Sequence, residues 1–280
     1  MKNVLYINKP KGMTSFDVCF KLRRVLNTKK IGHTGTLDPN ATGVMIILFD
    51  KATKANQFLL SDKKEYIAKA EIGYLTDSLD IDGKIIEEKK CSMPTKELLI
   101  DTLNSFKGKS IQTPPLVSAI KVDGKRLYEY KLEDREVEIP QREIEVFEIE
   151  LLDISGQTFT FKTTVSSGTY IRSLMRDILA KLDLIGTLIE LQRTSINEIN
   201  IDMCDNLEDV LNGHYELHDL YELLSLRYKS IEVEDDKKIK DGKPIKLNCD
   251  EEEVLISHNK EVLAIYKKDK DVYRCLRGLF

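Results

Sequence analysis

Gly32-His33-Thr34-Gly35-Thr36-Leu37-Asp38-Pro39, followed after Asn40 by Ala41-Thr42-Gly43 and the apolar run Val44-Met45-Ile46-Ile47-Leu48-Phe49, is the stretch from which the rest of the chain is read. Glycines at 32, 35 and 43 let the first part turn sharply or approach another backbone. A residue before proline is biased away from helix, so Asp38 sits in extended backbone. The apolar run that follows is a buried strand. Asp38 is thus a carboxylate on a constrained loop at the edge of a sheet. That placement suits a nucleophile or a base. It equally suits a turn aspartate bonded to its own backbone, the reading that composition by itself favours.

Working outward, Val4-Leu5-Tyr6-Ile7 is a strand stopped by the turn Asn8-Lys9-Pro10-Lys11-Gly12. Thr14 or Ser15 then caps a helix running to Leu26, with Val18, Leu22 and Val25 at helical spacing alongside Phe16 and Phe20. Lys54 to Leu60 reads as a short helix. Tyr66, Ala68, Ala70 and Ile72 alternate along a strand and share its apolar face. Thr76 to Gly83 is an acidic turn, Thr95 to Phe106 a helix, and Thr113-Pro114-Pro115 a break. Asp123-Gly124 is a tight-turn signal between Ser118–Val122 and Arg126–Tyr128. Glu143–Ile154 and Thr158–Val165 form a hairpin. Ile171, Leu174, Met175, Ile178, Leu179 and Leu182 mark an amphipathic helix. Leu207 to Leu224 is helical in two pieces broken near Gly213. From Ser225 the chain turns to short, charged strands.

These elements interleave without a βαβ period. The expected fold class is α+β, a mixed, largely antiparallel sheet flanked by helices, with a small all-β domain at the C-terminus. The expected domains are residues 1–224, with an insertion at about 112–140, and residues 225–280.

Bulk properties exclude several classes. No segment of the 280 residues approaches the roughly 20 apolar positions of a membrane span. The N-terminal residues carry no signal-peptide core, so a cytoplasmic protein is expected. Cys19, Cys91, Cys204, Cys249 and Cys275 form no C-x-x-C pair, and neither a disulfide framework nor structural zinc is expected. No phosphate-binding Gly-rich loop, dinucleotide fingerprint or His-Glu-x-x-His motif occurs. His214 and His218 stand four apart with no third ligand near them, and read as surface residues. The formal charge is -4, yet residues 1–70 carry 13 Lys and Arg against 5 Asp and Glu, leaving the acidic excess to the remainder. A basic N-terminal segment on an acidic chain is compatible with a phosphate-binding face.

The run from Gly32 to Val44 closely resembles the central motif of the TruB family of tRNA pseudouridine synthases. Four further segments match in order: Asn8-Lys9-Pro10-Lys11-Gly12-Met13-Thr14-Ser15; Lys64-Glu65-Tyr66; Ser118-Ala119-Ile120-Lys121 with Gly124 to Tyr130; and Ser167-Gly168-Thr169-Tyr170-Ile171-Arg172 with Leu191-Gln192-Arg193-Thr194. The resemblance covers roughly residues 3 to 200. It implies a pseudouridine synthase fold and an isomerisation of uridine at position 55 in the T-loop of tRNA, with no cofactor and no metal. It further implies that Asp38 is the nucleophile, that Arg172 is its charge partner, and that Tyr66 stacks on the uracil and helps remove the C5 proton. Tyr170 and Leu191 resemble the pocket walls, and His33 the residue bracing the place that the flipped uridine leaves. Lys9, Lys11, Lys21, Arg23, Arg24, Lys121, Lys125 and Arg126 are expected on phosphates. Ile239 to Ile245 weakly resembles part of a PUA-like module. A monomer acting without a protein partner is expected. Two alternatives are an RNA-binding, tRNA-folding protein without catalysis and a catalytic subunit guided by a separate RNA.

Overall fold

The computed structural model describes residues 2–60, 63–133 and 135–280. In chain order the elements begin with β1 (Lys2–Lys9), α1 (Ser15–Val25), β2 (Ile31–His33), β3 (Thr42–Phe49), β4 (Lys64–Ile72), β5 (Tyr74–Thr76), β6 (Ile85–Glu88), α2 (Lys96–Asn104) and β7 (Gly108–Gln112). Then come β8 (Lys121–Val122), β9 (Lys125–Arg126), α3 (Leu127–Leu132), β10 (Arg142–Ser155), β11 (Thr158–Val165), α4 (Ile171–Lys181), β12 (Gly186–Ile196) and β13 (Ile199–Asn200). The last are β14 (Asp205–Asn206), α5 (Leu207–Leu211), β15 (His218–Asp219), α6 (Leu220–Ser225), β16 (Lys229–Glu232), α7 (Lys237–Lys240), β17 (Glu253–His258), β18 (Glu261–Asp269) and β19 (Val272–Gly278). The chain divides into two compact units, one of Met1–Pro39, Gly43–Leu60 and Glu198–Phe280, the other of Asn40–Thr42 and Ser61–Asn197.

In the first unit β1 and β3 pair antiparallel, Leu5 opposite Ile47 and Ile7 opposite Met45. Both are buried almost throughout, which is why they read as unbroken apolar runs rather than alternating ones. The short β2 lies antiparallel on β3, with His33 opposite Ile47. Helix α1 starts at a capping box. Thr14 Oγ1 accepts from the Asp17 N–H at 3.1 Å, and the Asp17 carboxylate accepts from the Thr14 N–H at 2.9 Å. The Thr14 hydroxyl, which also donates to the Asp17 carboxylate at 2.6 Å, and then the Thr14 N–H hold that carboxyl below its ordinary range. The helix buries Val18, Cys19 and Leu22. His218, read as a surface residue, is half-buried. Its ring stacks on Tyr6 at 4.0 Å, and burial is the main reason the Tyr6 hydroxyl is pushed up to about 12. The same unit carries the four-stranded sheet β16-β17-β18-β19, whose core holds Ile239, Val254, Ile256, Leu263, Tyr266 and Tyr273.

In the second unit the strand order is β12-β4-β11-β10-β7, antiparallel at every step. Alternation is strict on β4, where Lys64, Tyr66, Ala68, Ala70 and Ile72 are buried. Phe161 and Phe159 on β11 face Ala68 and Ala70 in register, so large side chains fill what the alanines leave. Gly186 opens β12 at a close approach. A Cβ there would stand 2.6 Å from the Glu71 carbonyl oxygen and 2.6 Å from a Leu179 methyl.

Several elements depart from the sequence reading, and the short strands β2, β5, β6 and β7 were not foreseen. Arg126–Tyr128 was expected as a strand, but only Lys125 and Arg126 pair, and the chain becomes helical at Leu127. Strand β12 carried no clear alternation and was not foreseen. The short helix expected over Lys54–Leu60 is a 3-10 segment at Asp50–Phe58.

Candidate active site

Asp38 is half-buried, and both of its neighbours are anchored. On one side, Ser15 Oγ accepts from the Leu37 N–H at 2.8 Å and donates to the Leu37 carbonyl at 3.2 Å. On the other, the Pro39 carbonyl accepts the Gly12 N–H at 2.9 Å and Lys9 Nζ at 3.1 Å. Gly12 reaches it with φ at +88°, a backbone angle that side chains disfavour. The first turn of α1 and the turn after β1 therefore fix the loop that a sequence of glycines would otherwise leave mobile. His33 is half-buried on β2.

Lys9 needs a correction. It was expected on a phosphate, but its side chain is fully buried. Its Nζ donates to the carbonyls of Pro10, Met13 and Pro39 at 2.9, 2.7 and 3.1 Å. It ties the turn after β1 to the loop that carries Asp38.

In the second unit Tyr66 projects from the buried face of β4, opposite Arg193 on β12 and Thr163 on β11. The small neighbour Ala68 pairs with Leu191, so an apolar side chain and an aromatic ring lie side by side across two strands. Arg193 is 1% exposed beside Tyr66 and is a buried charge that sequence reading did not single out. Glu65, next to Tyr66, shows opposing effects. Burial pushes its carboxyl up, but bonds from Lys162 at 2.8 Å and Thr194 Oγ1 at 2.7 Å hold it below its ordinary range.

Arg172 stands in the first turn of α4 and is 4% exposed. Its guanidinium donates to the Ser78 carbonyl at 2.9 Å and the Val117 carbonyl at 3.1 Å. Two bonds to separate loops fix the planar fork in one orientation. The helix begins at Tyr170, whose backbone is clamped by a single side chain. Gln112 Oε1 accepts the Tyr170 N–H at 2.8 Å, and Gln112 Nε2 donates to the Tyr170 carbonyl at 3.1 Å. Gln112 is itself buried at the end of β7. Its neighbour Thr113 accepts bonds from Ser173 and Arg176 of the same helix. Nothing in the local sequence marked Gln112. Its only sign was a lone amide next to the Pro114-Pro115 break. The Tyr170 ring is covered by the Arg142 guanidinium, 5.5 Å from its centroid.

The remaining basic candidates lie on the insertion. Lys121, Lys125 and Arg126 are exposed. Lys125 Nζ is held by both oxygens of Glu133, at 2.9 and 3.0 Å, and that bond is the first cause of the lowered Glu133 carboxyl. Arg126 lies 5.9 Å from the Tyr128 ring centroid. Lys131 anchors the insertion helix to Asp77 at 2.6 Å, which lowers the Asp77 carboxyl. Among the described residues no group of three or more His, Cys, Asp or Glu is placed to hold a metal ion, and no helix is long and apolar enough to cross a membrane.

The mixed, largely antiparallel sheet flanked by helices is that of a pseudouridine synthase fold. The solved structure of a Cbf5–Nop10–Gar1 complex includes a chain that superposes with a TM-score of 0.75, at 24% identity, over 100% of this chain and 85% of that one. The family model for the N-terminal domain of TruB family pseudouridylate synthases matches residues 23–171. A protein of Lactobacillus acidophilus named tRNA pseudouridine synthase B is 38% identical over 98% of this chain and 97% of its own length. One of the same name from Fusobacterium nucleatum is 47% identical over 72% of this chain and 70% of its own. The chain belongs to the TruB family of pseudouridylate synthases.

Proposed function

We propose that this protein isomerises uridine 55 in the T-loop of tRNA to pseudouridine, acting alone as a cytosolic monomer. One observation carries the reading: Asp38 lies on a loop anchored at both neighbouring residues, in a chain whose relatives along nearly its full length are named tRNA pseudouridine synthase B. A fixed carboxylate is ready to attack without first being ordered.

The reaction breaks N1–C1′ and forms C5–C1′. The proton on C5 leaves to solvent and N1 gains one, so atoms balance with no other reactant. Asp38 adds to the nucleoside, at C1′ of the sugar or C6 of the base. Arg172 is its counter-charge, favouring the ionised form. Tyr66 carries the uracil on its ring and assists loss of the C5 proton. Tyr170 and Leu191 exclude water from the cleaved intermediate. Base flipping vacates a position in the loop, which His33 fills. Lys121, Lys125 and Arg126 meet phosphates, and Lys9 acts through the loop instead. Residues 225–280 serve as a PUA-like module beside the catalytic residues 1–224.

Asp38→Asn is the test. With tRNA tritiated at C5 of uridine, the variant releases no tritium above background while binding tRNA within a few fold of the parent. Release at the parental rate would remove Asp38 from the mechanism. A parent that binds tRNA but releases nothing would favour the tRNA-folding reading.

A further inference from the structure

Helix α1 carries a feature that the reaction above does not use. Phe16 and Phe20 are 64% and 62% exposed, on a helix that buries Val18, Cys19 and Leu22. At about 100° per residue, Phe16, Phe20 and Arg23 fall within about 60° of one another, on one flank of the helix. The Arg23 guanidinium carbon lies 5.9 Å from the centroid of each ring. Among the described residues no carboxylate forms an ion pair with it, so its charge is held over two aromatic faces rather than neutralised. Arg24, the next residue, is exposed, as are Lys11, Lys21, Lys29 and Lys30. The one acidic residue of the helix, Asp17, has its carboxylate engaged by the Thr14 N–H and hydroxyl in the capping box.

Two exposed phenylalanines gain nothing from burial in the fold, and a contiguous apolar surface of this kind marks an interaction site. Its chemistry is specific. Aromatic faces interleaved with unneutralised arginines stack unpaired bases and meet the adjoining phosphates, whereas a protein partner would ask for fewer cations. Its place is specific too. Ser15, directly before Phe16, is the residue whose hydroxyl bonds both the N–H and the carbonyl of Leu37, next to Asp38. The strip therefore starts where the nucleophile loop is anchored, within reach of nucleotides flanking a uridine held at Asp38.

We propose that Phe16, Phe20 and Arg23 form a stacking platform for unpaired bases of the RNA substrate, with Arg23 and Arg24 on the neighbouring phosphates. The proposal rests on the reading of this chain as a tRNA-modifying enzyme and adds a substrate-binding surface to it.

The chain has no tryptophan, so Phe20→Trp introduces a single reporter on the platform. Titration with an unmodified tRNA transcript is expected to quench its emission with the same midpoint as binding measured by filter retention. Inorganic tripolyphosphate, which has charge but no bases, leaves the emission unchanged. In parallel, Phe16→Ala with Phe20→Ala is expected to weaken tRNA binding about ten- to a hundredfold, the loss of stacking on one or two bases. An unquenched tryptophan at saturating tRNA, with the double variant binding within twofold of the parent, would overturn the proposal. So would a double variant that keeps its tRNA affinity but loses a dimer in sedimentation, since the patch would then face a second copy of the chain. The parent is assayed for tritium release alongside. Failure there refutes the enzyme reading, whereas parental release with unaltered variants refutes only the platform.

Discussion

Lys9 shows how a residue's role is decided by its surroundings rather than its type. A lysine in a Pro-Gly turn reads as solvent-exposed, because lysine is almost never fully buried without partners. Here the side chain is buried and its amino group reaches three carbonyls, one of them on the residue after Asp38. Lys9→Met keeps most of the length and volume but removes the donors. The carbonyls of Pro10, Met13 and Pro39 each lose a bond, and a stability loss of about 2 kcal/mol follows, as for other broken buried hydrogen-bond networks. Thermal unfolding followed by circular dichroism should show a midpoint several degrees lower. A midpoint within a degree of the parent would mean that the three bonds contribute nothing. The turn itself was legible from Pro10 and Gly12. The direction of the lysine was not, because its acceptors include Pro39, thirty residues further on.

At the scale of elements, the proposed role of Arg172 depends on where α4 begins. The strand and helix on either side of Ser167-Gly168 were legible from their periodicity, and both formed as read. What holds them in place was not. Gln112, at the end of β7, closes two hydrogen bonds on the backbone of Tyr170, two residues before Arg172. Gln112→Leu leaves a half-buried N–H and a half-buried carbonyl of Tyr170 without that partner and frees the start of the helix to shift. Misplacement of a charged group by about 1 Å can cost on the order of a hundredfold in rate. The expected result is a kcat ten- to a hundredfold lower, with tRNA affinity within about threefold of the parent. Gln112→Glu, which keeps the acceptor for the Tyr170 N–H, should recover part of the rate. Equal loss of affinity and rate, or an unchanged kcat, would contradict a positioning role. The errors of reading at this scale have local causes. Strand β12 reads Gly-Thr-Leu-Ile-Glu-Leu-Gln-Arg-Thr-Ser-Ile, with its alternation interrupted where the pairing with β4 shifts register at Leu188/Glu190 and Arg193/Ser195. A bulge breaks the period of two from which strands are recognised. The stretch after Asp123-Gly124 ended its pairing at Arg126 because Glu129 accepts the Arg126 N–H at 2.6 Å and starts a helix. That local bond ends the hairpin after two pairs.

For the whole molecule, fold class was legible because it depends on patterning summed over many elements, whereas single roles depend on long-range contacts. The antiparallel order β12-β4-β11-β10-β7 and the separate C-terminal sheet agree with an α+β chain ending in short strands. Family membership rests on the whole chain in the same way, with 38% identity to a relative over 98% of its length. The opening loop had a turn aspartate as its favoured reading on composition. Its anchors, Ser15 on one side and Lys9 with Gly12 on the other, now give that aspartate a fixed position. The central claim is that this chain by itself converts one uridine of tRNA. Purified protein incubated with an unmodified tRNA transcript, with no guide RNA, partner protein or added cofactor, is followed by nucleotide-resolution mapping of pseudouridine. The account predicts pseudouridine at position 55 of the T-loop and at no other uridine. Modification at another site, or none until a guide RNA or a partner is supplied, would contradict it.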